Sequence, residues 1–119
     1  MLTVYRDNLP DSYLLILATE RQARDPHALA RALHRAGRSG KSSVLVDCSL
    51  LAPSDATADT VLLLRAYHET FAGQGIHMVV AHASNELRQC LVGSVSKPGP
   101  VLVDTLVDVP GLNLAPVLA

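Results

Sequence analysis

Tryptophan is missing from this chain of 119 residues, and aromatic side chains of every kind make up 3% of it. Proteins that hold single-stranded nucleic acid stack bases on such rings, so that class of function lacks its platform here. Acidic and basic side chains nearly cancel, 11 against 10, leaving a net charge of −1. No bulk charge therefore favours nucleic acid or an anionic membrane as partner. Cys48 and Cys90 are the whole cysteine content. They are too few and too far apart for a disulfide framework or a zinc knuckle, so both are expected to be reduced, with Cys48 a small core residue. No apolar run approaches the roughly twenty residues of a membrane span, and no basic, apolar, small-residue sequence marks a secretory leader. The expected setting is the cytoplasm.

What the chain does have is apolar mass: 49% of its residues, with 18% charged. That composition folds, and at this length it fills one core. Leu2 to Arg6 alternates and Tyr13 to Ala18 is continuously apolar, with turn residues Asn8 to Asp11 between them, which predicts a hairpin. Asp25-Pro26 announces a first helix over 26–36, with Ala28, Leu29, Ala32 and Leu33 at helical spacing and Gly37 placed to end it. Val44-Leu45-Val46 reads as a central strand buried on both faces. A polar loop follows, in which Ser54 or Asp55 is placed to cap a second helix over 56–72. Gly73 and Gly75 stop that helix, and 76–81 makes another strand. Ser84 caps a short helix over 85–92, and Val101 to Val103 is a last short strand. The order β-β-α-β-α-β-α, with a final strand, implies an α/β domain over 1–104 with a mixed, mostly parallel sheet of about four or five strands. Residues 105–119 are apolar but punctuated by Pro110, Gly111 and Pro116, and form an expected C-terminal tail along the body or against a neighbouring subunit.

Gly37-Arg38-Ser39-Gly40-Lys41-Ser42 has the look of a phosphate-binding loop. The mechanism needs a strand before the loop, a helix after it and a glycine at the place of Arg35. Here a helix precedes and a strand follows, so a flexible turn is the reading and no cofactor is expected. His27 and His34 lie seven residues apart on one helix without a third ligand between them, and His68, His77 and His82 show no ligand spacing either. No metal site is expected. Ser49, Ser54 and Thr57 lie near Asp47, Asp55 and Asp59, with His82 at the end of a neighbouring strand, which is the raw material of a hydrolase. No nucleophile elbow is present, and the carboxyl ends of α/β strands collect such residues in any case, so no turnover is expected. Arg24, Arg31, Arg35 and Arg38 fall on one helical side. They form either a solvated face or a docking stripe for an acidic partner or headgroups.

The segment VLVDCSLLAPSDATADTVLLL, Val44 to Leu64, resembles the central part of sulfate-transporter and anti-sigma factor antagonist (STAS) domains. Val44-Leu45-Val46-Asp47-Cys48-Ser49 matches the strand of that family, Asp55 its turn, and Val61-Leu62-Leu63 the helix that follows. The likeness covers roughly 13–91. It implies the same α/β fold and a non-enzymatic, partner-switching signalling module of bacterial type. Such a module binds a kinase-like or anti-sigma protein through the 54–60 loop and the exposed side of the second helix. The residues so implicated are Ser54, Asp55, Thr57, Asp59, Thr60 and Arg65, with Leu62, Tyr67 and Glu69 further along. Ala56 stands where antagonists carry the phosphorylated serine, Ala58 replaces a glycine and Asp59 a leucine. Thr57 is then the candidate phosphosite. The same resemblance admits a STAS subunit docked on a transporter ATPase, or a sensor of small ligands, nucleotides or lipids. Apolar surface on the second helix and the tail is compatible with a homodimer.

Overall fold

A computed structural model describes residues 1–109. Strands β1 (Leu2–Asn8) and β2 (Ser12–Thr19) form the expected antiparallel hairpin. Parallel strands β3 (Ser43–Leu50), β4 (His77–Ala81) and β5 (Val101–Val103) then add one after another, so the sheet order is the chain order, β1-β2-β3-β4-β5. Each parallel step needs a crossover, and these are supplied by helices α1 (Ala28–Gly37), α2 (Ala58–Gly73) and α3 (Asn85–Leu91). When every step moves the same way across a sheet, crossovers of one hand put all their helices on one face. The packing agrees. Tyr13, Leu15, Leu17, Val44, Val46, Met78 and Val80 share one buried cluster with Leu29 and Leu33 of α1, Leu64 and Phe71 of α2, and Leu87 and Leu91 of α3.

The other face of the sheet carries the alternate residues of the same strands, as a period of two demands. Leu14, Leu45 and Val79 are buried there with Val109, and Leu106 packs against them. A short 3-10 turn, Leu106–Asp108, brings those two residues to the sheet, closed by a capping box between Thr105 and Asp108. Residues 105–109 thus belong to the body of the domain, while the expectation for the rest of the tail falls on 110–119, outside the described residues. β3 is central and buried on both faces from Val44 to Cys48, as its unbroken apolar run required.

Helix boundaries differ from the sequence reading in ways with local causes. Asp25 and Pro26 do not open α1 directly. The Asp25 carboxylate accepts from the His27 backbone N–H at 2.9 Å and from Arg31 at 3.1 Å, and the helix starts two residues later than expected, at Ala28. Gly37 is the last residue of α1 rather than its cap. A β-carbon there would meet the Phe71 ring at 3.0 Å, so the glycine lets α2 approach α1. The 38–42 segment is a turn between helix and strand. It is fixed to the hairpin by Lys41 Nζ on the Pro10 carbonyl at 3.2 Å and Ser42 Oγ on the Asp11 carbonyl at 3.2 Å.

Candidate partner-binding site

Near the end of β3, before the loop to α2, the buried carboxylate of Asp47 accepts from the Ser49 N–H at 3.0 Å and the Ser49 hydroxyl at 3.2 Å. A buried acid needs such partners. Pro53-Ser54-Asp55 then closes a single 3-10 turn, and α2 starts two residues beyond the expected place, at Ala58. The cap is neither Ser54 nor Asp55. Thr57 has the extended backbone of an N-cap, φ −81° and ψ 171°, and its hydroxyl accepts from the Thr60 N–H at 3.3 Å. Asp59 adds an acid to the first turn, where the helix dipole favours it.

The six residues implicated by the sequence separate into two groups. Ser54, Thr57, Asp59 and Arg65 are exposed. Arg65 also donates to the Cys90 carbonyl at 3.3 Å, tying α2 to α3. Thr60, expected on the outer side, is instead 5% exposed, and its hydroxyl donates to the Asp55 carbonyl at 2.9 Å. Asp55 is turned inward as well: one carboxylate oxygen lies 3.8 Å from the α-ammonium of Met1, and the side chain is only 18% exposed. Tyr67 is half-buried, its ring tilted 58° against Phe71 with centroids 5.8 Å apart. The corrections at Thr60 and Tyr67 share one reason. Thr60, Leu64, Tyr67 and Phe71 recur at helical spacing and form the stripe of α2 that meets the sheet. That spacing was the signal that places Thr60 inside.

Opposite this stripe, Leu62 is 64% exposed, and Leu50, at the end of β3 leading into the loop, is 60% exposed. The first turn of α2 thus shows solvent a hydroxyl, an acid and, one turn on, a large apolar side chain and a guanidinium. Such a mixture suits a protein surface: an apolar anchor inside a polar rim.

Behind the loop a cleft of about 170 Å³ lies between the ends of β3 and β4, lined by Cys48, Ser49, Pro53, Ala56, His82 and Ser84 among others. Burial pushes the Cys48 thiol up to about 12, with the neighbouring Asp47 charge adding to the effect, so this cysteine is held as a neutral thiol. Ser84 serves as N-cap of α3, accepting from the Leu87 N–H at 3.2 Å. His82 sits just past β4 with φ 57°, a left-handed conformation that a residue with a β-carbon seldom adopts. The Ser49 hydroxyl donates its hydrogen bond to Asp47, and among the described residues no hydrogen bond joins His82 to a serine. Among the described residues, too, no three His, Cys, Asp or Glu side chains converge as a metal site would need. No described helix is long and apolar enough to cross a membrane.

No protein-family model matches this chain, and no curated protein is similar to it at a significant level.

Proposed function

We propose that this chain is a non-enzymatic protein–protein recognition module of the anti-sigma factor antagonist type, which binds a protein partner through the β3–α2 loop and the outer side of α2. The observation that carries this reading is the exposed start of α2, where Thr57, Asp59, Leu62 and Arg65 lie open to solvent on a rigid element. The resemblance of Val44 to Leu64 to STAS domains supports it. Ser54 adds a further polar contact at the edge, and Asp55 acts from behind, through its carbonyl on Thr60.

Thr57 takes the role of the missing serine at Ala56. Phosphoryl transfer to its exposed hydroxyl from a kinase-bound nucleotide would place nearly two negative charges at a helix N-terminus, where they are tolerated by the helix. The same charges repel an acidic partner beside Asp59. An acceptor that is also the cap couples modification to the geometry of the first turn.

Affinity capture with the immobilised chain, run beside Leu62→Asp and Asp59→Arg variants, tests the reading. A protein retained by the native chain and lost with both variants is the expected result, and its identity, a kinase-like protein or a transporter ATPase, sorts the two forms of the proposal. Identical retention by all three overturns it. A sensor reading placed at this loop fits less well, because the cleft behind it, about 170 Å³, is below the roughly 300–1,000 Å³ of small-molecule sites.

A further inference from the structure

Among the described residues β1 has a strand on one side only, so half of its backbone groups need partners elsewhere. Which half is fixed by the ends of the hairpin. Met1 and Glu20 exchange both backbone bonds, at 3.3 and 3.0 Å, and Leu9 donates to the Ser12 carbonyl at 2.9 Å. Bonded pairs alternate along an antiparallel ladder, so the odd-numbered residues of β1 bond to β2. The N–H and C=O groups of Leu2, Val4, Arg6 and Asn8 therefore point out of the sheet.

The side chains of these same even-numbered residues face the helix layer, where Leu2 and Val4 pack against the core. Beside them α1 presents Ala28, Arg31, Ala32 and Arg35, one face by their spacing of three and four. Between strand and helix runs an open groove of about 350 Å³, with Val4 and Arg6 as its other wall. Asp25 at its margin pairs with Arg31 at 3.1 Å. Among the described residues no carboxylate lies within 4.0 Å of Arg6 or Arg35. Arg24 and Arg38, grouped with these by sequence spacing, lie before and after the helix and do not line the groove.

We propose that the open edge of β1 and the arginines of α1 together form a docking surface for an extended acidic segment of a partner protein, which adds to the sheet as a sixth strand. The guest bonds to the outward backbone groups of Val4 and Arg6. Its side chains alternate. Those on the helix side enter the groove and meet Arg6, Arg31 and Arg35, so they are Glu or Asp; those between lie beside Tyr5, 49% exposed on the other face, so they are apolar. Bidentate carboxylate–guanidinium contacts favour arginine in this role. A second copy of the chain is the poorer occupant: antiparallel pairing of two β1 edges brings two sets of α1 arginines together on one face. The charges that discourage such self-pairing select an acidic guest.

The probe is a nine-residue peptide of alternating glutamate and valine, titrated into the full-length, isotope-labelled chain and followed by amide chemical shifts. Shifts confined to β1 and the β1-facing side of α1 are expected, with slowed exchange of the Val4 and Arg6 amides. A peptide of the same composition with glutamates and valines in separate blocks should bind at least tenfold more weakly. The double variant Arg31→Glu, Arg35→Glu, both sites exposed, should lower affinity for the alternating peptide at least tenfold. Equal binding of the two peptides, shifts elsewhere, or no binding overturns the proposal. So does arginine-dependent binding to phosphatidylglycerol vesicles without any response to the peptide. The amide map is read on the native chain, so it stands even if a variant fails to fold.

Discussion

α1 and α2 lie on the same face of the sheet, yet their apolar residues are placed differently. In α1, Leu29, Leu33 and Ala36 are buried, and no large apolar side chain of the helix is exposed. In α2, Thr60, Leu64 and Phe71 are buried, Val61 and Leu63 are half-buried, and Leu62 remains 64% exposed. The large apolar residues of the first helix are accounted for by the sheet it covers. Among the described residues the second carries apolar surface that no other element covers, next to a capped and open N-terminus, and that surplus is what the proposed recognition rests on. The termini differ too: His27, at the N-cap position of α1, makes no side-chain cap, whereas Thr57 caps α2.

The contrast can be broken from the inside first. Phe71→Ala in α2 should cost about 3–5 kcal/mol of unfolding free energy, and Leu33→Ala in α1 about 2–5, because both remove fully buried side chains. Urea denaturation reads both; losses much below these would mean that the helices are not anchored as described. At high pH the buried thiol between the helices and β3 becomes the weak point. Cys48 titrates near 12 in the folded chain against an ordinary value of 9.0, so the folded state holds its proton longer than the unfolded one. Stability is unaffected below about 9 and then falls by roughly 1.4 kcal/mol per pH unit up to about 12, a loss that Cys48→Ala should remove. Comparison of the two proteins' denaturation midpoints over that window checks the sign. In the native chain the exposed Cys90 should react with a thiol reagent while Cys48 stays inert until unfolding.

Effects become smaller toward the surface. Thr57→Ala should cost about 1 kcal/mol by removing the α2 cap, and Thr57→Asp should restore most of it, since aspartate caps as well. Leu62→Asp should change stability by no more than about 0.5 kcal/mol. A thermal melt shows whether this holds; a large loss would mean that Leu62 is part of the core and the contrast between the helices is false.

The strands and the order of elements were legible because each is an alternating or continuous apolar run bounded by turn residues, and Tyr13 to Ala18 or Val44 to Val46 leave little choice. The start of α2 was less so. Ser54, Asp55 and Thr57 are three competing caps within four residues, and the 3-10 turn begun by Pro53 decides in favour of the last. Thr60 is polar, as an outer residue would be, but its spacing from Leu64 puts it on the inner stripe. Arg6 was not visible as part of a site at all: a hairpin can be read locally, but which helix settles over its outer strand depends on the crossover. Likewise, Leu106 and Val109 show only as an apolar pair three apart until the second face of the sheet needs cover.

The measurement that bears most directly on the role of α2 is an amide footprint of the captured protein partner on the isotope-labelled chain. Perturbation centred on 57–66, absent with Leu62→Asp at an unchanged melting temperature, is the predicted result. A footprint that leaves those amides untouched while the partner remains bound would contradict the account.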